Sequence, residues 1–68
     1  MATIIHFMGS PEALHVVEEA DDVVKAISGA KPGTLVELKR RAAYGEPGTI
    51  EGKPVHVRVD SVAYVTPA

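Results

Sequence analysis

The first hydrophobic segments of the chain predict a β-hairpin. Residues 3–8 (TIIHFM) and 12–17 (EALHVV) are rich in β-branched and other apolar residues, and the sequence GSP separates them. Glycine adopts the positive φ of a tight hairpin turn without steric cost, so we expect a two-residue turn at Gly9 and Ser10. The N-terminal part of the chain is therefore two antiparallel strands.

The register of this hairpin decides which side chains share a face. With a two-residue turn, Ile5 lies opposite Leu14 on an apolar face, whereas His6 and His15 are diagonal neighbours on the other, mixed face. Two histidines could hold a metal ion if a carboxylate joined them, but no third ligand stands at a suitable spacing. We interpret both histidines as partly exposed strand residues and expect no metal site.

The pattern changes to a helical period between residues 19 and 28. Acidic residues crowd the first turn of this segment, where the helix dipole favours anions. Gly29 is placed for a left-handed C-cap, and Pro32 prevents the helix from continuing. Apolar residues recur at spacings of three and four and form one stripe: Ala20, Val23, Val24 and Ile27. A helix this short needs to pack against a sheet.

Three further strands are predicted in the second half of the chain. Residues 34–40 (TLVELKR) and 54–59 (PVHVRV) alternate between apolar and charged positions, on either side of a long loop at residues 42–53. The alternation would allow Glu37 to pair with Arg58 across the two strands. A turn at DS then leads into VAYVTP, a last strand that a proline ends.

The predicted element order is β-β-α-β-β-β, which defines a small α+β fold. We expect one domain over residues 1–68, with a hairpin at 1–17, a helix at 19–28 and a three-stranded antiparallel unit at 34–66. The helix would pack on a strongly bent antiparallel sheet or on a small open barrel, because either arrangement buries its single apolar stripe.

Composition then narrows the classes of function. A chain of 68 residues rarely folds stably without a disulfide, a structural metal or an oligomer interface. This chain has no cysteine for a disulfide, so we expect a homo-oligomer. A net charge of −2 disfavours a protein that binds nucleic acid non-specifically. No apolar run is long enough to span a membrane, and the N-terminus lacks a signal peptide's basic region, so we expect a cytoplasmic protein.

Enzymatic motifs are missing from the sequence. Ser10, Ser28 and Ser61 stand in no nucleophile elbow and have no base at a recognisable spacing. The glycines of the 42–53 loop do not form a phosphate-binding loop, since neither a following helix nor the required lysine is present. We therefore expect a protein that is not an enzyme and uses no cofactor.

The stretch KRRAAYGEPGTIEGKP, from Lys39 to Pro54, is the strongest candidate for a binding surface. Cations at the end of a strand run into a tyrosine, and an arginine on the neighbouring strand would extend them: Lys39, Arg40, Arg41, Tyr44 and Arg58. Such a set could contact nucleic acid through phosphates and one stacked base. The acids within the same loop and the tendency of exposed strand edges to carry Lys and Arg favour a protein contact instead.

Most of the chain resembles the FlbD family of small flagellum-associated bacterial proteins. GTLVELKR followed by GKPVHVRVDSVAYVTP is similar to that family's V-x-L-T-x-x-x-G-K-P hairpin, and IIHFMGSPEALHVVEEADDVVKAI is similar to its other half. The halves stand here in the opposite order, and AAYGEPGTI is an insertion. Short unannotated proteins of actinobacteria and their phages look similar. The resemblance implies a non-enzymatic accessory protein, since the family has no catalytic residues to carry over.

A second resemblance indicates an alternative function, the binding of RNA. The tail VHVRVDSVAYVTP is similar to the last two strands of Sm-like proteins, which would imply a ring-forming oligomer that binds RNA. Sm-like proteins place five strands after their helix, whereas two strands precede the helix here. The sequence thus predicts a self-associating protein-interaction module of a bacterium or phage with an unknown protein partner, and an RNA- or DNA-binding oligomer is the alternative.

Overall fold

A computed structural model describes residues 2–42 and 45–68 of the chain. Tyr44, one of the candidate binding residues, lies outside these ranges. The element order β-β-α-β-β-β is confirmed, and the protein has a small α+β fold. The elements are β1 (Thr3–Phe7), β2 (Ala13–Val16), α1 (Ala20–Gly29), β3 (Leu35–Lys39), a 3₁₀ turn (Gly48–Ile50), β4 (Pro54–Arg58), a second 3₁₀ turn (Val59–Ser61) and β5 (Val62–Pro67).

The strands form two antiparallel sheets. One sheet has the strand order β2-β1-β5, and the other is the hairpin of β3 and β4. The predicted three-stranded antiparallel unit at residues 34–66 is therefore wrong, because β5 pairs with β1 and not with β4. A single bridge between Val16 and Arg40 joins them. Around it, the N–H of Val17 donates to the carbonyl of Lys39, and the N–H of Arg41 donates to the carbonyl of His15, both at 2.9 Å. We call these two hydrogen bonds the sheet junction.

The register of the first hairpin is as the sequence predicts, but its turn is longer. Ile5 lies opposite Leu14. The strands stop at Phe7 and resume at Ala13, so the predicted two-residue turn at Gly9 and Ser10 is wrong. A turn closes where the N–H of Ser10 donates to the carbonyl of Phe7 at 3.4 Å, with Gly9 at φ 74°. Pro11 follows at once and has no N–H for the ladder, so pairing cannot continue to the turn.

The helix α1 covers the apolar side of the sheets. Val23 is fully buried, and Ile27 packs against the core. The predicted left-handed cap at Gly29 is wrong, because Gly29 is the last helical residue and Ala30 follows in extended conformation. The positive φ falls instead at Gly33, in a turn where the N–H of Thr34 donates to the carbonyl of Lys31. Within the described residues, no helix is long and apolar enough to cross a membrane.

The core is small and draws on every layer of the fold. Five buried hydrophobic residues form one cluster, to which β1, β2, α1, β3 and β4 contribute one residue each: Ile5, Val16, Val23, Leu38 and Val57. Partly buried side chains surround them. Thr3 is also fully buried, and its hydroxyl donates to the carbonyl of Glu18 at 2.7 Å, so this polar group is satisfied.

The second hairpin alternates as its sequence predicts. Val57 and Leu38 face the core, whereas His56 and Glu37 are exposed. The predicted contact between Glu37 and Arg58 is wrong within one chain, because the register places Leu35 opposite Arg58 and Glu37 opposite His56. The Glu37 carboxylate lies 3.4 Å from the His56 ring. The length of the connecting loop sets this register, and strand alternation alone leaves it open.

Two neighbouring valines of α1 test this account of the core. Val23→Ala should lower the free energy of unfolding by about 2–3 kcal/mol, because it removes buried methyl groups and leaves a cavity. Val24 is 46% exposed, so Val24→Ala should change stability by less than about 0.5 kcal/mol. Urea denaturation of both variants measures the difference. Equal losses would contradict the placement of the helix.

Candidate interaction surface

The acid that precedes α1 helps to position the basic strand end. Both carboxylate oxygens of Glu18 accept the backbone N–H of Lys39, at 3.1 and 3.0 Å. This N–H points away from β4 toward β2, so Glu18 satisfies a donor that the hairpin leaves open. The contact supplements the sheet junction, and it uses the main chain of Lys39 and leaves its ammonium group in solvent.

Arg40 is turned inward and is engaged by an acid. It follows Leu38 by two positions on the same strand face, and its side chain is 37% exposed. Its guanidinium lies 3.4 Å from the carboxylate of Glu46. The Nε atom is buried and has no hydrogen-bond partner among the described residues. Of the candidate cations, Arg40 is therefore the one held most firmly within the fold.

The exposed face of the second hairpin carries mixed charges rather than a cationic patch. Lys39 lies opposite Pro54 at one end, and Arg58 lies opposite Leu35 at the other, four residues away along β3, which corresponds to about 13 Å. The Glu37 and His56 pair stands between them. Lys39 and Arg58 thus share a face of the sheet without forming one continuous surface.

Arg41 lies beyond the end of β3 and is exposed. Its N–H belongs to the sheet junction, which fixes its backbone. In the next residue, the N–H of Ala42 donates to the carboxylate of Glu51 at 2.7 Å, so another acid closes the base of the loop. Carboxylates thus lie beside Arg40 and Ala42, the residues on either side of Arg41. They lower the positive potential of this segment.

The two strand histidines do share a face, as their predicted register requires. Ile4 lies opposite His15, and His6 lies opposite Ala13. The ring of His6 stacks on Tyr64 of β5, with centroids 4.2 Å apart and planes at 14°. Among the described residues no group of three or more histidines and acids could hold a metal ion. The stack gives His6 a packing role on the outer face of the three-stranded sheet.

The free side of β4 is a feature that the sequence analysis did not single out. The N–H of Val59 donates to the carbonyl of Thr34, and the N–H of Arg40 donates to the carbonyl of Lys53. Antiparallel ladders alternate, so Val55 and Val57 also bond to β3, whereas the N–H and C=O groups of His56 and Arg58 point away from it. We call this side the β4 edge. No described strand other than β3 pairs with β4.

An apolar groove runs beside the β4 edge. It has a volume of about 530 Å³ and is lined on one side by the tip of the first hairpin and on the other by β4: Phe7, Met8, Ser10, Leu14, Val55, His56, Val57, Arg58 and Ser61. We call it the edge groove. Met8 is 63% exposed. None of the described residues that line the groove is a carboxylate, and Arg58 and His56 are its charged or titratable members.

Comparison with known proteins found no matching family model, no matching curated protein and no matching solved structure.

The role given to Glu18 leads to a stability prediction. Glu18→Ala should lower the free energy of unfolding by about 1 kcal/mol, because the Lys39 N–H loses its charged acceptor. Glu12→Ala, in the exposed turn of the first hairpin, serves as a control for the loss of one negative charge and should be close to neutral. Thermal melts followed by circular dichroism separate the two. A neutral Glu18→Ala would show that the contact does not help to hold the two sheets together.

Proposed function

We propose that this protein is a non-enzymatic interaction module that associates with itself through its strand edges. The observation that carries the proposal is the β4 edge, where the backbone groups of His56 and Arg58 pair with no other described strand and lie beside an apolar groove. Unpaired strand edges are templates for pairing with another chain. Pairing there satisfies the main chain and removes apolar surface from water in the same step.

The size of the core supports self-association. Five residues form the buried hydrophobic cluster, while large apolar side chains remain in solvent: Met8, Val24, Leu35 and Tyr64. Chains of this length usually gain stability from a disulfide, a metal or an oligomer, and cysteine is absent from the sequence. A second copy would supply the missing buried area by symmetry, since most small soluble oligomers are closed and homomeric.

We further propose an accessory or regulatory role in the cytoplasm of a bacterium or of a phage-infected host. The support is the resemblance to the FlbD family and to short actinobacterial and phage proteins, whose motifs are strand and turn residues. In this proposal the self-associated module presents its remaining surface, including the loop that starts at Arg41, to a protein partner.

Nucleic-acid binding is the weaker alternative. Lys39, Arg41 and Arg58 are exposed and could contact phosphates. However, Arg40 is paired with Glu46, and the net charge of the chain is −2. The mixed exposed face of the second hairpin and the acids at the base of the loop give a potential too weak for the accumulated phosphate contacts that such binding needs.

Self-association predicts a mass that depends on concentration. Sedimentation velocity across the micromolar to millimolar range should show a monomer that converts to a dimer, because a short strand-edge interface buries little area and binds weakly. Sodium chloride at high concentration should leave the dimer largely intact, since apolar contacts and backbone hydrogen bonds are screened little by salt. A monomer at every concentration would remove the basis of the proposal.

The alternative function has its own test. In an electrophoretic shift assay at low salt, labelled single-stranded RNA and duplex DNA should remain unbound by the protein, given the acid-paired arrangement of its cations. Binding that weakens steeply with salt and is lost in the double variant Lys39→Ala, Arg41→Ala would overturn this expectation and favour the nucleic-acid function.

A further inference from the structure

We propose that the second copy of the chain docks at the β4 edge, with the two β4 strands antiparallel and Val57 lying opposite Val57 of the second copy. The result is a continuous four-stranded sheet in the order β3-β4-β4-β3. This inference rests on the proposed self-association and goes beyond it by naming the strand, the direction and the register.

The backbone of β4 selects this register. With Val57 at the two-fold axis, His56 lies opposite Arg58 of the second copy, and each such pair exchanges two hydrogen bonds. All four N–H groups and all four C=O groups of these residues are then satisfied. A register with Arg58 opposite itself would place two cations opposite one another and His56 opposite Asp60, which lies in the 3₁₀ turn Val59–Ser61 outside the strand. A register with His56 opposite itself places Arg58 opposite Pro54 of the second copy. Proline has no N–H, so both Arg58 carbonyls would be left unpaired.

The missing N–H of Pro54 also favours a copy of this strand over an extended foreign peptide. The β4 edge offers complete donor and acceptor pairs at two residues, and Pro54 interrupts it on the N-terminal side. A longer peptide would run past Pro54 and meet a missing donor there. A second β4 matches the two-residue edge with its own two residues and leaves both prolines outside the paired region.

The side chains of the inner face are also self-complementary. Val57 faces the core, and a residue opposite it in a non-hydrogen-bonded pair lies about 4.5 Å away between Cα atoms. Because the two inner faces fall on the same side of the joined sheet, the edge grooves of the two copies face each other. Phe7, Met8 and Leu14 of each copy would line one shared apolar space that neither monomer closes alone.

The exposed face carries complementary charges in this register. Arg58 of the second copy lies next to His56, and beyond His56 in the same row is Glu37. Two strand spacings, about 9.6 Å, separate the backbones of Arg58 and Glu37, and these two long side chains can span that interval. Arg58 of the second copy thereby extends the row of exposed charges that Glu37 and His56 begin.

Another free edge among the described residues, on β5, suits docking less well. The N–H of Ala68 donates to the carbonyl of Ala2, so Val65 and Pro67 are the residues that point away from β1 in this part of the ladder. Pro67 has no N–H to offer. A register shift between His6 and Phe7 interrupts the pairing further along, and an irregular edge is a poor template for a second strand.

Single cysteines test the register, because the natural sequence contains none. His56→Cys and Arg58→Cys are made separately, and each residue is exposed in the monomer. Mixed under mild oxidation, the two variants should form a disulfide between them, since residues 56 and 58 of opposite copies lie about 5.5 Å apart between Cα atoms. Each variant alone should link slowly, because 56 to 56 and 58 to 58 are both diagonals of about 7–8 Å in this register.

Ala63→Cys, on the exposed part of β5, provides the background rate of collision when it is mixed with either variant. The 56–58 disulfide should form at least about tenfold faster than this background, since a dimer holds the two thiols at a high effective concentration. Rapid linkage of His56→Cys to itself would overturn the register. If every pair of cysteine variants links at the background rate while sedimentation still shows a dimer, docking at β4 is wrong and self-association stands. If sedimentation shows only a monomer, both self-association and docking at β4 are wrong.

A comparison of proline with alanine at position 58 isolates the contribution of the Arg58 N–H to dimer affinity. Arg58 has a φ of −76°, which proline adopts, and its N–H makes no bond to β3, so Arg58→Pro should leave the monomer folded. It should weaken the dimer about tenfold more than Arg58→Ala, which loses the same side chain and keeps the N–H. Circular dichroism melts verify that both variants fold. Equal dimer affinity of the two variants would contradict strand pairing at this edge.

Discussion

The fold depends on two backbone hydrogen bonds that join its two sheets. Val17 donates to Lys39 and Arg41 donates to His15, and between these bonds Val16 lies beside Arg40. The second hairpin would not be stable alone, because an isolated pair of strands buries too little surface in water. The junction brings the inner faces of the sheets together, so that one cluster of buried residues serves the whole chain. Glu18 reinforces the junction from the side by accepting the N–H of Lys39.

The same junction determines where the fold is left open. The junction joins β2 to the end of β3, and in the two-stranded sheet of the second hairpin the other strand, β4, is an edge. The tip of the first hairpin then lies across from that edge and forms the second wall of the edge groove. An unpaired edge next to unburied apolar surface is a liability for a protein that stays monomeric. It is a natural interface for one that pairs with itself, and the proposed function follows from this geometry.

Much of the architecture could be predicted from residue patterns. β-Branched and apolar content, alternation and flanking turn residues located the five strands, and the i, i+3, i+4 stripe located the helix. The errors occurred where local signals compete. Gly29 and Gly33 both precede a change of direction, and the positive φ occurs at the second of them. The register of β3 against β4 depends on the length and shape of the long loop, so Glu37 and Arg58 could be placed on one face but not opposite one another. The sheet junction and the β4 edge arise from tertiary pairing and have no local sequence signal, although Pro54 marks the start of an edge strand.

Amide hydrogen exchange along β4 tests the central claim most directly, because it reports the direction of each N–H. In dilute solution, where the chain is monomeric, the amides of Val55 and Val57 should be protected and those of His56 and Arg58 should exchange many times faster. At concentrations that favour the dimer, the His56 and Arg58 amides should become protected as well. Uniform protection of all four amides in dilute solution would contradict the account, since it would mean that β4 has no free edge.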